Sequence, residues 1–383
     1  MIDTVVLIIQ EGYYKILNPD LFTPNAGILN NPISFGARAF VKCMQNPTKE
    51  DYAKGIYKPR LTITKRAVKG GFIKPLKVEF SAPKLLFLNN VNELEENDFE
   101  KLLDILQKRL LEMGVEVSET NLKLAKASTI HYSKNIELPD FVVSSMFIRE
   151  LSKVDITKRL SLDKTFFKNS GHALAFYAKS YAIVIYDKLK DIQQNTGVKI
   201  DDDPTIMQQN LFSDNKPQTE ILRIEIRLNH SKKIESVLKT IGKAQDRSFI
   251  NLFKVDIAKK VVLYYWDLMT ANKNTFLFSQ ERDMDKIAEE IYRANPKISA
   301  QKLFAIIGYV VFSKEKGTRI LRQFVESKYT KRTWLRLNAY SKILGSSTSQ
   351  IKIWVDVRNL IEEFKPVKPV DTGGKMINND KDS

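Results

Sequence analysis

The stretch "GHALAFYAKSYAIVIYDK", residues 171–188, decides the fold. Two runs of alternating apolar residues flank "AKS", which reads as an antiparallel hairpin. A loop at Ala178–Ser180 would pair Tyr177 with Tyr181, Leu174 with Val184 and His172 with Tyr186. Opposed residues share a face, with Cβ atoms roughly 5 Å apart, so this register sets an imidazole beside a tyrosine hydroxyl. A one-residue slip would separate them.

Outward from the hairpin, the first 90 residues are strand-like. "MIDTVVLIIQ" reads as a first strand, with no basic leader or small-residue cleavage site. "YKPRLTITKRAV" and "IKPLKVEFSAPKLLFL" alternate between Gly and Pro punctuation. A helix follows, with Asn97 as the expected N-cap and Gly114 as its end. Phe99, Leu102, Leu103, Leu106, Leu110 and Met113 make its apolar face. Next come a strand ("LKLAKASTIHYS"), a helix ("DFVVSSMFIRELSKV"), the hairpin, a polar insertion (195–220) and a strand ("EILRIEIRLN"). From about 255 to 365 the pattern is helical, and 366–383 reads as a disordered tail. The expected fold class is α+β: an antiparallel-sheet domain over 1–245, then a helical domain over 255–365.

Sixty-one basic residues against 45 acidic ones leave a formal charge of +16 in 383 residues, which fits a polyanionic partner. One cysteine, Cys43, excludes an internal disulfide and a multi-cysteine zinc site, and fits a reducing compartment. The longest apolar run, "LFAIIGYVVF" from Leu303, has ten residues against the roughly 20 needed to span a bilayer. The expectation is a soluble, cytoplasmic protein without a membrane partner. Walker-type glycine loops and GxSxG elbows are missing from the sequence.

Polar residues interrupt the strands. In "ASTIHYS", Thr129, His131 and Ser133 lie opposite Ile130 and Tyr132. In "ILRIEIRLN", Leu222, Ile224, Ile226 and Leu228 form an apolar face backed by Arg223, Glu225 and Arg227. A half-exposed strand with a solvated charged side explains such alternation. The alternative is a metal site of His131, His172 and Glu225, whose nitrogen and oxygen donors suit Mn²⁺ or Mg²⁺, with Zn²⁺ also compatible. His230, beside lysines at a strand end, reads as a surface residue. Tyrosine, with an ordinary pKa of about 10, becomes a useful nucleophile when a metal polarises the electrophile or a cation such as Lys188 favours the phenolate. For a basic protein the natural electrophile is a phosphodiester. Tyr181 is the rival nucleophile.

"MIDTVVLIIQ", "STIHYSKNI", "GHALAFYAKSYAIVIYDKLKD" and "EILRIEIRLN", in that order, resemble the gene II/X replication initiators of filamentous phages and related plasmids and prophages. The resemblance covers roughly residues 1–245. It implies a rolling-circle-initiator-like nuclease core in which Tyr186 is the nicking tyrosine, Lys188 the lysine two positions on and Glu225 the glutamate of the Arg-x-Glu strand. His131 stands where phage members carry an aspartate, and His172 where a glutamate is expected. The implied function is metal-dependent nicking of one DNA strand at an origin, leaving a 5′-phosphotyrosine link and a free 3′ hydroxyl. DNA, as origin duplex and as single strand, would be the partner, with Arg223 and Arg227 beside the nick; a host helicase and polymerase would follow. The alternatives are a non-catalytic DNA-binding regulator of a mobile element and a basic adaptor for proteins or membrane surfaces.

From Lys314 to Lys342 the chain carries nine basic residues and two glutamates, interleaved with Phe324, Tyr329, Trp334 and Tyr340. This reads either as a duplex-binding module, a helix-turn-helix around "YTKRTWLRLNAYSKILG" whose Arg332 and Arg336 meet phosphates, or as an amphipathic helix pair with its aromatics in the core.

Overall fold

The structure, a computed structural model, describes residues 1–31, 40–69, 71–138, 143–154, 161–162, 173–194, 220–270, 284–339 and 352–369. Its strands are β1 (Ile2–Ile9), β2 (Lys15–Ile16), β3 (Phe40–Gln45), β4 (Arg60–Val68), β5 (Gly71–Ile73), β6 (Leu76–Ser81), β7 (Val115–Glu116), β8 (Lys126–Glu137), β9 (Ser161–Leu162), β10 (Ala173–Tyr177), β11 (Tyr181–Asp187) and β12 (Ile221–Leu228). All but β2 and β7, which pair with each other, form one antiparallel sheet. Its order is β3-β4-β6-β1-β8-β12-β11-β10-β9, with β5 beside β4. The helices are α1 (Lys49–Ala53), α2 (Ala82–Phe87), α3 (Phe99–Glu112), α4 (Glu119–Leu124), α5 (Ser144–Ser152), α6 (Lys188–Gln194), α7 (Ser231–Thr240), α8 (Phe249–Leu252), α9 (Val255–Thr270), α10 (Met284–Ala294), α11 (Ala300–Lys316), α12 (Thr318–Lys328), α13 (Lys331–Asn338) and α14 (Lys352–Glu363). The protein is mixed α+β with a large antiparallel sheet, and none of the described helices is long and apolar enough to cross a membrane.

One sheet face is the main core. Leu222, Ile224, Ile226 and Leu228 of β12, Ile183 and Ile185 of β11, and Leu174 and Phe176 of β10 all point into it, as period-2 alternation requires. The same core takes in Leu102, Leu103, Leu106 and Leu110 of α3, Val237 of α7, Phe249 of α8 and Trp266 of α9. The expected apolar face of α3 is therefore the observed one, although its N-cap is Asp98 and not Asn97. Gly114, at φ +71°, follows its end. Cys43 is buried and unpaired.

The helical region does not divide from the sheet at residue 255. Ile257, Val261 and Trp266 of α9 and Val357 and Ile361 of α14 belong to the sheet's core, and Arg358 ties α14 to Asp267 of α9 at 2.9 Å. Helices α10–α13 keep a second core of Ile287, Ile291, Ile306, Tyr309, Val310, Leu321, Val325 and Trp334. The cause is the apolar face of α9, whose Ile257, Ala258, Val261, Val262, Tyr265, Trp266 and Met269 are buried against the sheet's core.

The expected disordered tail is also shorter at its start. Buried Glu93 accepts from Lys134 Nζ at 2.6 Å, from the Asn135 amide at 2.6 Å and from the Val367 amide at 3.0 Å. The Glu93 amide donates to Val367 O, Lys134 Nζ also donates to Lys365 O at 2.7 Å, and Lys368 pairs with Glu95. A buried carboxylate with several charged and amide donors holds the segment through residue 368 in place. Residues 370–383, like the insertion at 195–219, lie outside the described residues.

Gly317 joins α11 to α12 at φ +92°, ψ 150°, a region almost confined to glycine. A Cβ there would lie 3.0 Å from Lys153 Cα and 3.2 Å from Lys153 O, where the Thr318 amide already bonds Lys153 O. Gly317→Ala should therefore cost about 1–3 kcal/mol, seen as a lowered thermal midpoint; an unchanged midpoint would refute the close approach.

Candidate functional site

The opposite sheet face carries the polar cluster. β12 pairs with β8 and β11 so that Asn135, Arg223 and Tyr186 form one cross-strand row, Ser133, Glu225 and Val184 the next, and His131, Arg227 and Ala182 the third. Because the apolar residues of β12 fix the register against the core, the alternate residues are forced onto this face. Arg223, at 1% exposure, and Glu225, at 2%, are buried. The reading of a solvated charged side is wrong for both, because the surrounding chain covers this face.

Glu225 is the hub. Arg227 grips it with two bonds, Nε to Oε1 at 2.9 Å and Nη2 to Oε2 at 3.2 Å. His131 Nδ1 lies 3.2 Å from Oε1, and Tyr186 Oη donates to Oε2 at 3.1 Å. Burial would raise the Glu225 pKa, but Arg227 and His131 overcome it and hold the carboxyl well below the usual carboxylate range. Burial first, then the Glu225 charge, hold the Tyr186 phenol well above the usual tyrosine range.

Asp3 completes the cluster, and sequence reasoning missed it. Strict alternation along β1 would put Asp3 on the core face with Val5 and Leu7. The β1–β8 register shifts between Ile2 and Val5, where one extra residue is inserted in β1. This bulge lets both Ile2 and Val5 reach the core and turns Asp3 toward the polar face. There its Oδ1 accepts from Arg223 Nη1 at 3.0 Å. Ligand atoms of Asp3, His131 and Glu225 lie within 4.8 Å of one another. The only sequence signal was an acidic residue in an otherwise apolar strand.

Arg223, expected to touch nucleic acid, instead positions Asp3. Its Nε donates to Asn135 Oδ1 at 2.7 Å and its Nη2 to Asn90 O, so the guanidinium is spent inside the protein. Arg227 is partly exposed while gripping Glu225. Arg332 and Arg336 are exposed on α13 and make no bond to the Glu225 cluster among the described residues.

The hairpin register differs by one from the expected one. Ala178 N bonds Tyr181 O, so Lys179 and Ser180 alone make the turn. Ala173, not His172, then faces Tyr186, and Leu174 faces Ile185. A two-residue turn matches strand twist better than the three-residue loop inferred from sequence. His172 lies outside the described residues. Tyr181 falls on the core face, its ring under Lys233 Nζ at 4.2 Å and 5.2 Å from Tyr265, so the rival hydroxyl is not in the cluster.

Strand β11 ends where Asp187 accepts from the Leu189 and Lys190 amides, starting α6. Lys188, the first helical residue, is 1% exposed. Its Nζ lies 5.6 Å from the Tyr186 ring centroid and 4.0 Å from Asp191 Oδ2. It therefore acts on the ring face and not on the hydroxyl. Burial, and then Arg223, pull its pKa down to about 7.

Comparisons with protein-family models, with curated proteins and with solved structures yield no match. Fold and site alone define the class: an α+β protein whose antiparallel sheet gathers a buried phenol, two buried carboxylates and a half-buried imidazole on one face.

Two outcomes test this geometry. Arg223→Met leaves buried Asp3 without its cation and should cost about 3–5 kcal/mol; adding Asp3→Asn should cost much less than it does alone, as a double-mutant cycle of urea midpoints reads. For Lys188, the unfolded state keeps a pKa near 10.4, so it binds more protons than the fold between about pH 7 and pH 10. Wild-type stability therefore rises with pH through that window, by about 2 kcal/mol from pH 7 to pH 9. Lys188→Met should lose that rise; equal slopes for the two proteins would refute a buried, neutralisable amine.

Proposed function

We propose that this protein nicks and joins DNA through Tyr186, as a rolling-circle replication initiator with a nuclease-type sheet domain. One observation carries the reading: the Tyr186 hydroxyl shares the Glu225 carboxylate with His131, next to Asp3, on the face of a central antiparallel sheet. The resemblance of the Tyr-x-Lys and Arg-x-Glu-x-Arg strands to gene II/X initiators supports the same assignment, as does the +16 charge.

Tyr186 Oη would attack the scissile phosphorus, forming the Tyr–O–P bond as the P–O3′ bond breaks. Glu225 Oε2, the acceptor of the phenolic hydrogen, is placed to take the proton, and the departing 3′ oxygen ends protonated. The phosphodiester energy is kept in the 5′-phosphotyrosine link, so the step is reversible by a 3′ hydroxyl.

Asp3, His131 and Glu225 fit a divalent ion such as Mn²⁺ or Mg²⁺ by donor type and spacing, with Asp3 a donor outside the set read from the sequence. Such an ion would polarise a phosphate oxygen and offset the Glu225 charge that now opposes ionisation of Tyr186. The chain's own cations complete the setting: Arg227 neutralises Glu225 and Lys188 faces the phenol ring.

A second reading, a non-catalytic DNA-binding regulator, draws on the fact that Tyr186 is buried with its hydroxyl satisfied. Incubation with Mn²⁺ and single-stranded oligonucleotides covering the origin of its own element separates the two. Wild type should give a denaturant-resistant protein–DNA adduct, lost at least about a thousand-fold in Tyr186→Phe and retained in Tyr181→Phe. DNA binding with no adduct under any divalent ion would favour the regulator.

A further inference from the structure

Helices α10–α13 keep their own core, but their exterior charge is not evenly spread. Between Lys316 and Asn338 the chain carries seven basic residues and one acid. Helix α13, "KRTWLRLN", shows the separation most clearly. Trp334 is buried in the helical core with Leu337 packed on it, while Lys331, Arg332, Leu335 and Arg336 are exposed. Lys331 and Leu335, and Arg332 and Arg336, are each four residues apart, so they form adjacent rows on the outer face. Lys328 and Tyr329, both exposed, extend these rows across the two-residue turn before α13.

These cations do not serve the helix. Arg332 and Arg336 repel at helical spacing, and Lys331 and Arg332 occupy a first turn that favours acids. Among the described residues no carboxylate pairs with Lys328, Lys331, Arg332 or Arg336. A row of cations kept against local electrostatics suits a partner that brings regularly spaced negative charge.

We propose that the outer face of α13, with Lys328 and Tyr329 at its approach, docks the phosphate backbone of double-stranded DNA. A membrane surface fits less well, because an interfacial helix must present a continuous apolar face, and here Trp334 and Leu337 are committed inward while Leu335 alone is exposed among the cations. Single strands are held by stacking on successive aromatic rings; Trp334 is buried, which leaves Tyr329 as one exposed ring beside four cations, too few to track a strand. Cations spaced along one helix face match a duplex, which carries one charge per about 1.7 Å of axis. The surface needs no chemistry at Tyr186.

The test is fluorescence anisotropy of the full chain with a labelled random-sequence duplex in EDTA, from 50 to 200 mM salt. The triple variant Lys331→Gln/Arg332→Gln/Arg336→Gln should bind at least about tenfold more weakly at 100 mM salt. Its log–log salt slope should fall by about 2–3, close to 0.9 for each lost phosphate contact. Lys297→Gln/Lys302→Gln, exposed cations elsewhere in the same helical unit, should stay within about twofold of wild type. Tyr186→Phe should bind the duplex as wild type does, which separates this surface from the nicking reading. Wild-type affinity and slope in the triple variant would overturn the proposal. So would a triple variant that loses phosphatidylserine vesicles or single strands while keeping duplex.

Discussion

A carboxylate buried at 2% exposure is tolerable only when its charge is answered, and Glu225 is answered from three strands. Arg227 comes from its own strand, His131 from β8 and Tyr186 from β11. None of these partners could be chosen independently. Shifting β12 by one residue would send Ile224 or Ile226 to this position and drive Glu225 into the hydrocarbon core. The apolar face of β12 therefore fixes the chemistry of the polar face, and the site is as well determined as the core behind it.

The two arginines of β12 divide the labour. Arg223 is wholly internal and, through Asn135 and the Asn90 carbonyl, sets the position of Asp3. Arg227 reaches partly into solvent while holding Glu225. Two guanidinium charges thus balance two carboxylates. In that balanced state the phenol stays protonated, since burial and Glu225 both oppose its ionisation. Reactivity would require further positive charge near Glu225.

Much of this was legible in the sequence. The alternation of Leu222–Leu228 and the apolar face of α3 are direct records of burial, and both are found as read. Tyr186, His131 and Glu225 do lie together, but the sequence reading paired Tyr186 with His172 through a hairpin register one residue out, and His172 lies outside the described residues. The right neighbours emerged because β12 brings them together, not the turn. Asp3 was not legible, because a bulge breaks the period on which face assignment depends. The docking of residues 365–368 was equally hidden: its cause is Glu93, distant in sequence and unremarkable in local pattern. The helical region also differs from its sequence outline, since apolar periodicity marks a buried face without saying which core it joins.

The linkage at Glu93 has a mechanical meaning. The Glu93 side chain fastens Lys134 and Asn135 of β8 to Val367, 274 residues beyond Glu93 itself, and Asn135 carries the connection on to Arg223. The chain is thus laced shut like a drawstring. Clipping the segment after α14 should loosen β8, a strand more than 200 residues earlier in the polypeptide.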